Sequence, residues 1–599
     1  MSEYIAPIRD MQFVLQEIAG LDQVAQLPGC EEATHDLVDA VLEEAGKFAS
    51  EVLSPLNYSG DQEGAVWHDK QVTMPAGFKD AYRLFAESGW PALACETEWG
   101  GQGLPKLVSA AVAEMWKSAN HAFSLCPLLT AGAIEALVLS GSDKLKETYL
   151  EKMVSGEWTG TMNLTEPNAG SDLAAVRTRA EPQPDGRYKI FGQKIFITYG
   201  EHDLTENIIH LVLARTPNAP EGVKGISLFV VPKFMVNEDG SLGERNDAYC
   251  VSIEHKLGIH ASPTSIIAFG DQGGAIGDLV GEENRGLEYM FIVMNAARFG
   301  VGLEGVAVCE RAYQRARDYA RERIQCTDIG VRGGPKVAII HHPDVRRMLM
   351  TIRAHAEASR ALAYSTAAAL DAAAHHPDDA ERKRNQAFAD LMIPVVKGWS
   401  TECGVTMASI GVQVHGGMGY VEETGAAQHL RDAQISTIYE GTTGIQANDL
   451  IFRKLMRDQG ATAKVVFSEV QGTANDLLAS DRPELRAIGG HLLGAKQAWS
   501  EATEWVMGNV RSDVSAVLTA AAPYLNLAVL VCGGWMMGRA ALAAADRLDR
   551  EAGDQGFYRN KIATARFYAD QLLTQAEAWS KVAMAGDAAI RGTGDALFE

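Results

Sequence analysis

Between residues 157 and 282 the apolar residues change their spacing, and on both flanks of that stretch the spacing is helical. Helices, then strands, then helices again is an order that few folds accommodate. Ahead of the switch, His35–Val52 and Gly77–Gly89 put apolar residues three and four apart, as an amphipathic helix requires. Within it, Tyr188-Lys-Ile-Phe, Lys194-Ile-Phe-Ile-Thr198, Ile208-Ile-His-Leu-Val-Leu-Ala214 and Ile226-Ser-Leu-Phe-Val-Val-Pro232 are β-branched and aromatic runs parted by Gly, Asn, Asp and Pro. Beyond it, Asn295–Gln325, His342–His375 and Arg382–Gly411 return to the helical period. The class read from this is mixed α and β, mainly α, in four parts. These are a helical domain over 1–156, a β domain over 157–282, a helical domain over 283–456 and, past the polar linker Met456–Lys464, a helical extension over 465–599.

Charge and composition narrow the function classes. The 599 residues carry 54 Lys and Arg against 77 Asp and Glu, so a formal charge of −23 repels phosphate backbones and nucleic acid is not an expected partner. Hydrophobic residues at 47 % and charged residues at 22 % exclude a largely disordered, collagen-like or coiled-coil chain. The cysteines are scattered, with no C-x-x-C and no Cys/His spacing that closes a zinc site, which points to a reducing cytoplasm and to no bound metal. The opening Met1 to Leu15 has no apolar core of signal-peptide length, so no export is expected. From Val514 to Gly538 no residue is charged. Pro523, Tyr524 and Asn526 dilute that run, and it is read as a buried helix pair rather than a transmembrane span, with weak contact to a membrane surface as the alternative.

One motif misleads. Gly300-Val-Gly-Leu-Glu-Gly305 matches a dinucleotide-binding pattern, but such a pattern must follow a strand and open a helix. Here it lies inside a helical run, where small residues serve close helix approach. No G-x-x-x-x-G-K-[ST], H-E-x-x-H or G-x-S-x-G is present, so ATPase, zinc-protease and serine-hydrolase readings lose their main support.

Four segments carry more. They are Thr161-Met-Asn-Leu-Thr-Glu-Pro-Asn-Ala-Gly-Ser-Asp172, Gly192-Gln-Lys-Ile-Phe-Ile-Thr198, Gln413-Val-His-Gly-Gly-Met-Gly-Tyr420, and Arg431-Asp432 through Ile438-Tyr-Glu-Gly-Thr442. In order and spacing they resemble the signatures of acyl-CoA dehydrogenases over about residues 35–455. The resemblance implies that family's fold (helical domain, β domain, four-helix domain), here with a helical C-terminal extension, and a FAD cofactor. Short hydroxyls at Thr165, Ser171 and Thr198 suit hydrogen bonds to a flat heteroaromatic ring that Phe196 covers, and Leu164 joins them by resemblance. Arg323, with Gln325, matches the arginine that reaches the FAD pyrophosphate of a neighbouring subunit, where a planar guanidinium grips phosphate bidentately. Gln413, Gly416, Gly417 and Thr442 complete the implied cofactor contacts, and Ser171, Asn295, Arg298, Tyr439 and Gly441 the implied substrate contacts.

Glu440 matches the family's base, which removes the α-proton of the acyl thioester. The other position used for that base, before Arg298, holds Ala297. Thr443-Gly-Ile-Gln446 is read as a capping box opening a helix to Leu455, which holds Glu440 in a loop at the helix entrance. By resemblance its backbone N–H and a FAD ribityl hydroxyl polarise the thioester carbonyl, and burial is expected to raise its pKa. Three places depart from the pattern: Gly444, Asn295, and a longer Cys326–Ala338 connection. The implied reaction is α,β-desaturation of an acyl-CoA, with an electron-transfer flavoprotein as acceptor and a homodimer as assembly. Length and the opening residues resemble a long bacterial group that includes an enzyme of dimethylsulfoniopropionate breakdown, so 3-(methylthio)propanoyl-CoA is the expected substrate. Tyr289, Met290, Phe291, Val293 and Met294 are read in two ways: as the bulky wall that closes a shallow pocket, or as plain core, which a Met and aromatic stripe at helical spacing more often forms. Medium- or long-chain fatty acyl-CoA oxidation is the alternative, and a flavin monooxygenase or non-catalytic flavin binder is the alternative of different class.

Overall fold

The β-branched runs of the central stretch form eight strands of one sheet in the computed structural model, which describes residues 4–328 and 330–599 and all their side chains except those of 292 and 293. The strands are β1 (Trp158–Asn163), β2 (Arg179–Pro182), β3 (Tyr188–Thr198), β4 (Asn207–Ala214), β5 (Ser227–Pro232), β6 (Ala248–Ile253), β7 (Thr264–Phe269) and β8 (Ala275–Val280). Their order is β6-β7-β3-β8-β5-β4-β1, with β2 added to β3. β1 runs parallel to β4, from Trp158↔Asn207 to Asn163↔Val212, and the other pairs are antiparallel. Every residue of β1, β4 and β5 is buried, which is why those runs are apolar without alternation.

The chain packs as two compact units. The sheet belongs to the one formed by Glu44–Leu104 and Met115–Gly300. Its core joins Ile134, Leu137, Tyr149 and Met153 of helices His121–Ser140 and Asp143–Val154 to Trp158, Ile209, Leu228 and Val280 of the sheet. Asn120 caps the first of these helices by accepting from Phe123 N–H at 3.0 Å. Met290 is fully buried in this core, as the core reading of that stripe expects, and Tyr289, Phe291 and Met294 pack half-buried against it. The Val293 side chain lies outside the described residues.

The other unit comprises Met1–Glu43, Pro105–Glu114 and Val301–Glu599. Helices α1 (Gly286–Glu322, from Val301 on), α2 (Pro343–His375) and α3 (Asp379–His415) supply long elements of it. The Gly300–Gly305 motif lies within α1, as its spacing predicts. A Cβ on Gly302 would sit 2.6 Å from Val396 Cγ1, and one on Gly305 2.1 Å from the Ser400 carbonyl, so glycine lets α1 rest on the α3 backbone. After the turn Met456–Gly460 the next helix opens at Ala461, inside the stretch expected to be a linker. The uncharged run is no helix pair. It is one 36-residue helix, α5 (Val514–Asp549), counted after a short α4 (Thr443–Asp449), and Pro523 is carried inside it. By length and composition His121–Ser140, Gly286–Glu322 and Val514–Asp549 could each cross a membrane; within the fold 61 %, 75 % and 61 % of their apolar windows are buried.

Buried charge ties the extension to the amino-terminal segment. Lys561, on α6 (Gln555–Gln571), meets Asp10 and lies 3.0 Å from Glu357. Arg360 is 1 % exposed and bonds Asp10 at 2.6 Å, Glu310 at 2.9 Å and Glu114. Burial alone would raise the Asp10 carboxyl, but Lys561 and Arg360 bring it down from 3.8 to about 2. A depressed carboxyl stabilises the fold above its unfolded pKa and loses that contribution as the pH falls through its folded one. Asp10 therefore contributes roughly 2 kcal/mol at neutral pH. Asp10→Asn is expected to lower stability by about that amount and to flatten the loss between pH 3.8 and 2, read from urea midpoints; an unchanged acid limb contradicts this.

Candidate active site

The segment Leu164–Glu166 leaves the end of β1 and is pinned to β3. Ile195 N–H donates to the Thr165 carbonyl at 2.9 Å, and Lys194 Nζ donates to the Leu164 carbonyl at 3.0 Å. Lys194 has no exposed side-chain surface, and its Nζ also lies 2.8 Å from Glu166 Oε1. Burial pulls the Lys194 ammonium down to about 8 while Glu166 opposes that pull. Glu166 in turn accepts from Arg177 N–H at 2.7 Å, Thr178 N–H at 3.0 Å and the Thr178 hydroxyl at 2.6 Å. The Glu and Lys of the two motifs thus form a buried strut that fixes the loop between them, a pairing that sequence reasoning missed.

At the far end of β3, Phe196 is 58 % exposed and holds φ at 59°. β7 changes register against β3 between Ser265 and Ile267, and Thr198 pairs with Thr264. A bulky residue in the left-handed region costs about 1–3 kcal/mol, and such strain gathers where a side chain must be aimed. Among the described residues the hydroxyls of Thr165, Ser171 and Thr198 and the Thr165 N–H make no hydrogen bond. Unused donors beside an outward-turned aromatic ring fit a flat heteroaromatic such as the isoalloxazine of FAD. The structure brings Leu164, Thr165, Phe196 and Thr198 to one strand end; Ser171 stands exposed on the following turn. On the amino-terminal half of α1, Arg298 is buried and Asn295 half-buried.

In the other unit, the Tyr319 ring stacks on His415 with centroids 4.4 Å apart, which brings the end of α1 to the end of α3. Arg323 and Gln325, exposed after α1, therefore share one end of the packed helices with Gln413, Gly416 and Gly417. The long connection is a hairpin, Ile324–Thr327 paired with Lys336–Ala338. A Cβ on Gly416 or Gly417 would meet nothing within 4 Å, so within this chain these glycines leave an open surface, and Gly416 also holds φ at 61°. An arginine beside open backbone fits a diphosphate.

Tyr439, Glu440, Gly441 and Thr442 form the loop before α4. Glu440 is half-buried and stands at φ 53°, followed by Gly441 at 89°. The helix cap differs from the expected box: Thr442, not Thr443, accepts from Ile445 N–H at 3.3 Å. The α-helix ends at Asp449 and continues as a π-turn to Leu455. Gln446, fully buried, turns away from the cap, and its Nε2 donates to the carbonyls of Glu440 at 3.2 Å and Gly441 at 3.0 Å. Lys397 Nζ, also fully buried, donates to the Gly441 carbonyl at 2.6 Å. Sequence reasoning passed over Lys397, although a lone charge in the apolar run Leu391–Trp399 marks it. The Tyr439 hydroxyl donates to buried Glu304, and burial together with that carboxylate pushes its pKa up. Among the described residues no His, Cys, Asp and Glu group is arranged to hold a metal ion.

Four family descriptions match the chain: the acyl-CoA dehydrogenase N-terminal domain at 37–157, its middle domain at 161–271, its C-terminal domain at 284–455, and an acetyl-CoA dehydrogenase C-terminal-like domain at 466–592. The chain is 48 % identical over 585 residues, 98 % of each sequence, to 3-methylmercaptopropionyl-CoA dehydrogenase of Ruegeria pomeroyi. It is 36 % identical over 96 % of each sequence to a broad-specificity linear acyl-CoA dehydrogenase of Mycobacterium tuberculosis. Its fold matches an acyl-CoA dehydrogenase of Bacillus anthracis complexed with FAD, at a TM-score of 0.74 and 21 % identity over 98 % of this chain and 93 % of that one.

Proposed function

The chain belongs to the acyl-CoA dehydrogenase family, and from that premise we propose that it converts 3-(methylthio)propanoyl-CoA to the trans-2-enoyl-CoA. It is an oxidoreductase acting on the CH–CH bond of an acyl-CoA. The observation that carries the substrate is the near-full-length match to the Ruegeria dehydrogenase, extension included.

FAD, when bound, supplies the acceptor for the β-hydrogen, which leaves as hydride. Glu440 does the proton chemistry: a carboxylate oxygen accepts the α-proton. A free carboxylate is too weak a base for that proton unless the thioester carbonyl is polarised, and the Glu440 backbone N–H is assigned to donate to it. Leu164, Thr165 and Thr198 hold the flavin ring, and Phe196 covers a face of it. Arg323 and Gln325, with Gln413, Gly416, Gly417 and Thr442, take the diphosphate end. Ser171, Asn295, Arg298, Tyr439 and Gly441 are assigned to the thioester substrate. The segment Glu440-Gly441-Thr442 favours dehydrogenation over the monooxygenase and binder readings. An electron-transfer flavoprotein as acceptor, a homodimer and a cytoplasmic setting complete the proposal.

The Mycobacterium relative favours a second reading, linear fatty acyl-CoA oxidation, and chain length separates the two. Each methylene that finds a buried place adds roughly 0.8 kcal/mol, about fourfold in kcat/KM. A short pocket ends that gain near butyryl-CoA, so kcat/KM is expected to be highest for 3-(methylthio)propanoyl-CoA and butyryl-CoA and to have fallen by octanoyl-CoA. Values that climb through dodecanoyl-CoA, with the thioether substrate poor, replace this assignment with the linear one.

A further inference from the structure

We infer that Lys397 and Gln446 are positioning residues for the base, acting as a two-pronged clamp on the carbonyls of its own loop; this rests on the assignment of Glu440 above. Glu440 and Gly441 are consecutive left-handed residues, and only the second is a glycine. An L-residue pays about 1–2 kcal/mol for that conformation and holds it only where its surroundings over-determine it.

The surroundings here are three buried side chains from three elements. From α3, the Lys397 ammonium bonds the Gly441 carbonyl at 2.6 Å; from α4, Gln446 Nε2 reaches both carbonyls at 3.2 and 3.0 Å. From α1, Glu304 receives the Tyr439 hydroxyl on the residue just ahead of the base. Lys397, Gln446 and Glu304 are all fully buried. A charge-assisted bond to a carbonyl is about twice as strong as a neutral one, and water cannot compete at a buried ammonium. Both carbonyls are drawn to the clamp, which sets the two peptide planes flanking the Gly441 Cα, the first of them directly after Glu440. With Tyr439 anchored on Glu304 just ahead, the backbone is held on both sides of Glu440 and its side chain is aimed by it.

The Gly300–Gly305 motif finds its use here. Gly302 and Gly305 bring α1 onto α3 at Val396 to Thr401, the turn that carries Lys397, while Glu304 sits between those glycines. The close approach therefore delivers both an anchor for Tyr439 and the ammonium for Gly441 to one loop.

Positioning predicts a split between binding and rate, since a displacement near 1 Å costs on the order of 10²-fold in rate without touching affinity. In the flavin-loaded full-length chain, Gln446→Leu and Lys397→Met are expected to keep their flavin and to hold KM within about threefold, while kcat falls about 10²-fold. Gln446→Leu changes no charge and nearly keeps volume, so it carries the test if Lys397→Met does not fold. A Gln446→Leu variant with wild-type kcat, while Glu440→Gln is inactive, overturns the clamp and leaves the base assignment standing. Loss of flavin or of folded protein by Gln446→Leu, in step with its loss of rate, also overturns it by assigning the side chain to the scaffold. An active Glu440→Gln removes the base assignment itself.

Discussion

Glu440→Gln is expected to retain flavin and acyl-CoA and to lose more than about 10⁴-fold in the rate of flavin reduction. The amide is nearly isosteric with the carboxylate, so the loop and its carbonyl contacts persist, but it cannot take the α-proton. Removing a general base typically costs 10²–10⁴-fold, and no substitute stands at the alternative position, where Ala297 is buried. A factor of 10⁴ corresponds to about 5.5 kcal/mol of transition-state stabilisation. Rapid mixing under anaerobic conditions checks it, and a variant reducing its flavin near the parent rate assigns the base elsewhere.

The second large effect is on stability. Gly305→Ala adds a Cβ that would lie 2.1 Å from Ser400 C and O and 2.4 Å from Thr401 N, all backbone atoms that no side-chain rotation relieves. Helices α1 and α3 must then part. Overpacking a core costs about 1–3 kcal/mol where side chains adjust; against backbone the loss is expected to exceed about 3 kcal/mol. Glu304 moves with α1, so kcat should fall as well. Gly494→Ala is the control: it lies in the helix Pro483–Asn509 with nothing within 4 Å of the added carbon, and the change should stabilise by up to about 1 kcal/mol. Thermal midpoints of the two variants decide it, and a Gly305→Ala midpoint at or above the parent contradicts the close-approach role.

Local interactions were legible in the sequence and distant ones were not. Period switching marked the central strands because β1, β4 and β5 are buried throughout and cannot alternate. A helical period around Gly300 distinguished a packing motif from a nucleotide loop. The base loop was legible in its residues but not in its bonds. Thr442 and Thr443 are equivalent caps on paper, and the choice falls to Thr442 because the left-handed Gly441 sets it at φ −56°, ψ 165°. Gln446 was read as a capping partner because sequence offers only the nearest backbone; in the fold the Glu440 and Gly441 carbonyls compete and win. Lys397 contributes from 44 residues upstream, a separation over which a hydrogen bond leaves no pattern. Pro523 suggested a break in the uncharged run, but one missing bond is tolerated in a helix as buried as α5.

Dehydrogenation of a short thioether acyl-CoA can be followed by adding 3-(methylthio)propanoyl-CoA to the purified flavin-loaded chain without oxygen and recording the flavin's visible absorbance. Rapid bleaching is expected, with one enoyl-CoA formed per flavin reduced, and slower bleaching by octanoyl-CoA. A flavin that stays oxidised with 3-(methylthio)propanoyl-CoA and butyryl-CoA alike, in a protein that binds both, contradicts it.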